Sequence, residues 1–472
     1  MNSKNKAHWI KIERLKRSIS QAKLAKLLKI KQVDLSEWET GKVEIDPANS
    51  DKINRLLSQY DKLKEPERNS LIDRRSYKQE RYDVPTELKK TKKTDQNKSN
   101  YKTNEALLIS FAKKFSNSSK PKGIALFAGC GGLSLGFHRA GFDILGFVEL
   151  EKEYRETYGE NFKNTECLGS DIRNVSNEDV QKWKKHFGEI DVLFGGPPCQ
   201  GFSLAGKRDR FDPRNQLYLE FVRVASKLNP RMIVLENVRL LTSMKTINDG
   251  YVADDIVQRF NDIGYEVKYK VLNAQDYGVP QSRSRVIFIG VRKDLNKNEI
   301  TFPDQTHGVN HNSLFPLKPL ITFRDATSDL ESLESGEKSD KDPLHFAISH
   351  PQHVIEMLKM TPEGKSAHEN SDPAHRPKSG YNTTYKRIKW DEPSSTIGTT
   401  FSMISGSRNV HPTNTRSLTI REATRCQTFP DEFKFLGNWG TIRTMIGNAV
   451  PPLLGEAIAN HIKKKYLDDK SN

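Results

Sequence analysis

Apolar residues along this chain gather into short, nearly unbroken runs from about residue 121 onward: 123-GIALFAG, 143-DILGFVEL, 191-DVLFGG, 232-MIVLEN, 265-YEVKYKVLNA and 285-RVIFIGV. Each is the length of a strand and rich in aliphatic residues, the pattern of strands buried on both faces of a sheet. Most alternate with helix-length segments, so the pattern predicts an α/β fold with a doubly wound, mostly parallel sheet. Residues 11–60 have a different period: Leu24, Leu27 and Leu28 fall on one helical face, predicting a small all-α domain. Residues 61–105 are highly charged and poor in apolar positions, as a linker is. Residues 292–416, with many Pro, Ser, His and Asp, break the strand–helix rhythm and predict an irregular domain. A helical stretch, 452-PLLGEAIANHIKKKY, closes the pattern. The expected divisions are 1–65, 66–120 (linker), 121–291, 292–416 and 417–472, the last returning to the main α/β domain.

Composition narrows the class. A chain of 472 residues with 35% hydrophobic and 29% charged positions fits a soluble protein of two or three domains. No run of eighteen apolar residues and no apolar leader is present, which predicts a cytosolic protein without a membrane segment. The four cysteines (130, 167, 199 and 426) are scattered, so neither a disulfide framework nor a metal site is expected. The net charge of +16 is uneven: residues 1–105 hold 26 Lys+Arg against 16 Asp+Glu. Such a basic arm fits nucleic-acid binding, and by charge alone it fits a solvated lysine-rich surface equally well.

Candidate chemistry sits at the ends of the predicted strands. In 124-IALFAGCGGLSLGFHRAG, strand, glycine turn and helix follow one another, and Gly129, Gly131 and Gly132 would let the backbone approach a ligand. Neither G-x-G-x-x-G spacing nor G-x-x-x-x-G-K-[ST] occurs, which argues against nicotinamide enzymes and P-loop NTPases. Glu149 ends the next strand, where a carboxylate suits ribose hydroxyls, and Asp171 follows at a place suited to an adenine amino group. Together these outline a nucleoside pocket. In 193-LFGGPPCQGFS, two prolines precede Cys199; stiff surroundings suit a held nucleophile, although a buried structural thiol is the commoner fate of the residue.

These segments resemble the DNA cytosine-C5 methyltransferases of bacterial restriction–modification systems, over roughly residues 121–465. LFAGCGGLSLGF resembles the S-adenosylmethionine loop, GGPPCQGFS the nucleophile motif and 234-VLENV the Glu-Asn-Val motif. The stretch 275-QDYGVPQSRSRVIFIG resembles the Gln-x-Arg-x-Arg motif, and 417-SLTIREATRCQTFPDEFKF and 445-MIGNAVPP the last two, all in the family's order. The chain departs from the family at Ala125, where an acid is common, and at Leu150, often aromatic or larger.

The resemblance implies a Rossmann-like methyltransferase fold that transfers a methyl group from S-adenosylmethionine to C5 of a cytosine rotated out of a short duplex site, protecting DNA from a cognate nuclease. It implies Cys199 as the thiolate that adds to C6, Glu236 as the group that protonates N3, and Arg283 and Arg285 beside them as catalytic residues. It implies cofactor contacts at Phe127, Gly129, Gly131, Gly132, Glu149, Leu150, Asp171, Ile172, Pro198 and Asn448. Lys207, Arg208 and Arg210 would lie on a mobile loop near phosphates, and residues 292–416 would read bases in the major groove.

The stretch 20-SQAKLAKLLKIKQVDLSEWETGK resembles the helix-turn-helix of phage-repressor-type regulators, with Lys29 where glycine is usual. Gln21, Lys31, Gln32, Asp34 and Glu37 would then face DNA. Methylation does not need this module, so it implies transcriptional autoregulation at an operator, with a dimer fitting a palindrome. Two other readings remain open: a tRNA cytosine-C5 methyltransferase, and a catalytically idle DNA-binding regulator.

Overall fold

A computed structural model describes residues 10, 21–28, 30–40, 42–43, 45–62, 108, 118–198, 217–246, 250–296, 299–308, 316–378 and 380–468. The chain forms two compact units. The N-terminal one contains helices α1 (Gln21–Leu28), α2 (Gln32–Thr40) and α3 (Pro47–Lys62). Leu24, Ala25 and Leu28 of α1 bury themselves with Ile10, Leu35, Ile53 and Leu57, while Leu27 is only half-buried. Local chemistry sets the helix ends. Asp46 accepts from the Asn49 backbone N–H at 2.9 Å, capping α3 just before Pro47. The Lys52 ammonium donates to the Leu28 carbonyl at 2.8 Å, placing a cation at the C-terminus of α1.

In the larger unit a seven-stranded sheet has the order β3-β2-β1-β4-β5-β7-β6. Its strands are β1 (Lys122–Leu126), β2 (Asp143–Val148), β3 (Glu166–Gly169), β4 (Val192–Gly195), β5 (Met232–Val238), β6 (Tyr265–Asn273) and β7 (Ser284–Arg292). Strands β1 to β5 pair in parallel, and β7 runs antiparallel to both β5 and β6. The fold is therefore the expected α/β doubly wound, mostly parallel sheet. Helices α4 (Gly132–Arg139), α5 (Lys152–Asn161), α6 (Asn177–Phe187), α7 (Leu217–Leu228) and α8 (Val252–Asp262) connect or flank the strands.

Two expectations need correction. The sequence pattern missed β3, a four-residue strand, ECLG, at one sheet edge. Strand β6 is not buried on both faces: it is the opposite edge, and residues 268–271 are exposed.

Residues 296–419 contribute no strand among those described. They contain short helices α9 (Phe323–Thr327) and α10 (Gln352–Lys359), isolated bridges and turns. The chain then returns through α11 (Ile420–Cys426), α12 (Trp439–Asn448) and α13 (Pro452–Ile462). Helix α13 packs directly on α4: a Cβ at Gly136 would meet the backbone of Gly455 and Pro452. Aromatic stacking supports the same layer, with the Phe137 and Phe194 rings 4.1 Å apart. The winding reverses between β1 and β4, so the carboxyl ends of those strands open at a topological switch point, where open α/β sheets bind ligands.

Candidate active site

At the end of β1 the backbone turns through positive φ at Phe127 (50°), Gly129 (59°) and Gly131 (100°). Glycine is needed at Gly131 for a second reason, because a Cβ there would strike the Phe162 ring. At Gly129 an added Cβ would meet nothing within 4 Å, so this turn faces open space. The Gly129 N–H donates to Glu149 Oε2 at 2.8 Å, and the Glu151 N–H donates to Oε1 at 2.9 Å. Burial pushes the Glu149 carboxyl above its usual range, against the lowering effect of those two N–H groups.

The neighbouring residues continue this rim. Leu150 leaves 55% of its surface exposed, unusual for an aliphatic residue beside a buried carboxylate. Arg155 fixes the strand end by donating to the Glu149 carbonyl at 2.8 Å and to that of Leu150. Asp171 caps the turn Ile172–Asn174 and pairs with Arg173, so part of its capacity is already used; Ile172 is buried. Asn448 comes from the far end of the chain to lie near the hydroxyl of Tyr154, whose pKa burial raises and Asn448 lowers in part. Close packing of Gly132 on the Val450 carbonyl brings that C-terminal segment to the glycine turn.

A second cluster lies at the ends of β4 and β5. Arg285 and Glu236 sit diagonally across the β5–β7 pairing, where Glu236 faces Ile287 and Arg285 faces Val238. Arg285 Nε donates to Glu236 Oε1 at 2.9 Å, and both side chains are nearly buried. Burial raises the Glu236 pKa, while Arg285 and Arg283 pull it down without reversing the shift. Gly196 lies against the carboxylate: a Cβ there would stand 2.6 Å from Glu236 Oε2. Asn237 Nδ2 donates to the Pro197 carbonyl at 3.0 Å, tying β5 to the Pro-Pro turn, and Pro198 is half-buried beside it.

Arg283 was expected beside Glu236 and Arg285 as a catalytic residue; its charge reaches both groups, while its hydrogen bonds go elsewhere. Its guanidinium is fully buried and donates to the carbonyls of Ile397 (2.8 Å), Gly447 (2.8 Å) and Ala449 (2.9 Å). Such a fork ties these segments together, and among the described residues it is Arg285 that bonds the Glu236 carboxylate.

Cys199, Lys207, Arg208 and Arg210 lie outside the described residues. In the N-terminal unit Gln21 opens α1 and Gln32 opens α2. Lys31 is exposed just ahead of α2, and Asp34 accepts from the Lys31 N–H at 3.2 Å, capping its own helix; Glu37 is half-buried. Sequence reasoning passed over Gly196, Asn237, Tyr154 and Gln281. Three of these lay inside quoted motifs, yet their partners are tens to hundreds of residues away. Gln281, fully buried, accepts from the Ile397 N–H at 2.8 Å and donates to the Cys426 carbonyl at 3.2 Å.

Fold and site thus define a doubly wound sheet with an open glycine turn at the switch point and a guanidinium–carboxyl pair next to a Pro-Pro turn. The chain belongs to the C-5 cytosine-specific DNA methylase family, which matches residues 121–464, and a helix-turn-helix family matches residues 10–58. It is 41% identical over 350 residues to the Type II methyltransferase M1.HphI of Haemophilus parahaemolyticus, covering 73% of this chain and 87% of that one. It is 34% identical over 379 residues to the Type II methyltransferase M.DdeI of Desulfomicrobium norvegicum, covering 72% and 88%. A solved E. coli structure assigned as a DNA modification methyltransferase encoded within a prophage superposes with a TM-score of 0.55 at 26% identity, over 73% of this chain and 99% of that one. The protein is a cytosine-C5 DNA methyltransferase of the restriction–modification type that carries a helix-turn-helix domain. Among the described residues no helix is long and apolar enough to cross a membrane.

Proposed function

We propose that this enzyme uses S-adenosylmethionine to methylate C5 of a cytosine turned out of a short duplex site. The buried Glu236–Arg285 pair at the end of β5, beside the Gly-Gly-Pro-Pro turn, carries the reading. The pocket fits the cofactor. Gly129 faces open space, two backbone N–H groups hold the Glu149 carboxylate at the strand end, where it would meet ribose hydroxyls, and exposed Leu150 would offer an apolar surface to a base. Phe127, Gly131, Gly132, Asp171, Ile172, Pro198 and Asn448 would complete that site. When bound, S-adenosylmethionine supplies an electrophilic methyl group.

The protein's own residues would do the rest. The Cys199 thiolate adds to cytosine C6, which makes C5 nucleophilic. As electron density moves onto the ring, Glu236 gives a proton or a strong hydrogen bond to N3. Its raised pKa supports that role, because a carboxyl must hold its proton to donate it. Arg285 fixes the carboxyl's orientation and suits the cytosine O2, whereas Arg283 acts as a positioning brace. Once C5 carries the methyl group, a base removes the C5 proton, the thiolate leaves, and N3 gives its proton back to Glu236. Extrusion of the base is required because no side chain reaches C6 within the stack. Lys207, Arg208 and Arg210 would hold phosphates.

Base-resolution conversion sequencing of DNA from cells expressing the protein, beside Cys199→Ser, tests the reading. Cytosines protected in one short motif, only with Cys199 intact, are expected. Protection confined to tRNA would turn the assignment to RNA.

A separate feature supports autoregulation: residues 10–58 match a helix-turn-helix family, and the described residues among them share a core of their own, which methylation does not require. Protection of the DNA upstream of its own gene by the full chain, and not by a chain lacking residues 1–105, is expected in a footprint. Equal protection by both would remove the regulatory role. Residues 1–65, 121–291 with 417–472, and 292–416 would then serve regulation, catalysis and target reading respectively.

A further inference from the structure

The irregular region contains one stretch whose charge and exposure differ from the rest. From His375 to Trp390, HRPKSGYNTTYKRIKW, there is no acidic residue and five are Lys or Arg. Three of those cations are already engaged. Arg376 Nε donates to the Asn370 carbonyl at 2.6 Å, Arg387 is buried among carbonyls, and Lys389 pairs with Glu392. Lys378 and Lys386 are exposed, and between them stands Tyr381 with 82% of its surface exposed.

An aromatic side chain this exposed normally sits on a mobile tip, but the backbone beneath Tyr381 is tied down. The Thr384 N–H and hydroxyl both donate to the Tyr381 carbonyl at 2.9 Å. Gly380 takes φ +115°, a conformation L side chains rarely adopt. The Ser366 hydroxyl donates to the Thr384 carbonyl at 2.7 Å, the Tyr385 N–H to the Ile404 carbonyl, and the Ile388 N–H to the Val410 carbonyl. Arg387 anchors the base of the turn on the carbonyls of Leu358, Thr361, His411 and Asn414. A hydrogen-bonded platform thus holds out an aromatic ring flanked by two exposed cations, which limits the entropy lost on binding and suits a polyanion.

We infer that Tyr381 is a specificity-determining residue that contacts a base edge in duplex DNA, with Lys378 and Lys386 on the flanking phosphates. This rests on the DNA-methylating reading and names which residues of the irregular region discriminate. The ring offers apolar contact to a thymine methyl or a hydroxyl to a base edge, and the lysines add affinity independent of sequence.

The test uses the full chain and a duplex pool presenting cytosine in randomised flanks, with methylation rates per context read by conversion sequencing. With Tyr381→Ala, preference for the favoured site over its single-base neighbours is expected to fall about 10- to 100-fold at one or two positions. Gly380→Ala, which removes no contacting side chain but opposes the turn's φ, is expected to alter preference at the same positions. Lys378→Ala and Lys386→Ala are expected to weaken binding to all contexts alike, each lowering the slope of log K against log salt by about 1. An unchanged ranking of contexts in both Tyr381→Ala and Gly380→Ala would overturn the inference while leaving the methylase reading intact. A wild-type protein that methylates no context would overturn both.

Discussion

Replacing Gly196 by alanine tests whether the position of the Glu236 carboxyl matters, using a single methyl group. The new Cβ would lie 2.6 Å from Glu236 Oε2 and 3.5 Å from the Glu236 carbonyl oxygen. Non-bonded carbon needs roughly 3.5 Å, so the carboxyl must retreat by nearly 1 Å. It is not free to do so, because Oε1 is bonded to Arg285 at 2.9 Å and the pair is nearly buried. Overpacking of this kind costs about 1–3 kcal/mol of stability. Displacing a catalytic group by about 1 Å costs on the order of 10²-fold in rate. Gly159, inside α5, is the matched control: its added Cβ meets nothing within 4 Å, so Gly159→Ala should stabilise by about 0.5–1 kcal/mol. The assay is single-turnover methyl transfer to duplex DNA at saturating cofactor, beside thermal unfolding of both variants. A Gly196→Ala enzyme with wild-type single-turnover rate would refute the placement of Glu236 as the group acting on the ring.

Glu236→Gln should lower the single-turnover rate by about 10²- to 10⁴-fold, and should abolish the decline at rising pH that a protonated Glu236 imposes in wild type. Arg283→Ala leaves the carbonyls of Ile397, Gly447 and Ala449 without a donor; it should cost about 3 kcal/mol or more in chemical denaturation, and an unchanged midpoint would contradict the brace. Acid should destabilise the enzyme through Glu422 and His411. Burial raises the Glu422 pKa, but Arg416 and His411 outweigh it and hold the carboxyl at about 2 against an ordinary 4.5, so its stabilisation is present above 4.5 and lost as pH falls toward 2. His411, held neutral by burial to about 3 against 6.5, takes up its proton more readily when unfolded and adds to the same loss from pH 6.5 downward. Unfolding midpoints measured between pH 7 and pH 3 check this, and Glu422→Gln should flatten the Glu422 part of the profile.

Legibility followed the physics of each segment. Five of the six quoted strands announced themselves because both faces of a central strand are buried, which forces continuous aliphatic runs. Strand β3 carries one such residue, Leu168, in four, since an edge strand needs less, and its signal fell below that of a loop. Strand β6 is likewise an edge, and its Lys268 and Lys270 were the sign that it is not central. In the irregular region nothing in the sequence marks Arg387 and Arg416 as interior residues. Both are buried, Arg387 against carbonyls and Arg416 against Glu422, and no periodicity reports a fold held by such bonds. The site was legible as residue types in order. That Gly196 touches Glu236, or that Asn237 holds Pro197, depends on parallel pairing of β4 with β5 some forty residues apart.

The spacing of Gln281, Arg283 and Arg285 explains why one short segment reaches so many parts of the unit. In extended chain, alternate residues point to the same side, and these three meet different partners in turn. Gln281 bonds the backbone of Ile397 and Cys426, Arg283 bonds Ile397, Gly447 and Ala449, and Arg285 bonds Glu236. The irregular region, the C-terminal segment bearing Asn448 and the carboxyl at the end of β5 are therefore referenced to one stretch of backbone. Loss of Arg285 would act on the chemistry itself. Loss of Arg283 would loosen two segments at once, so its effect on rate should follow its effect on stability, whereas that of Arg285 should not.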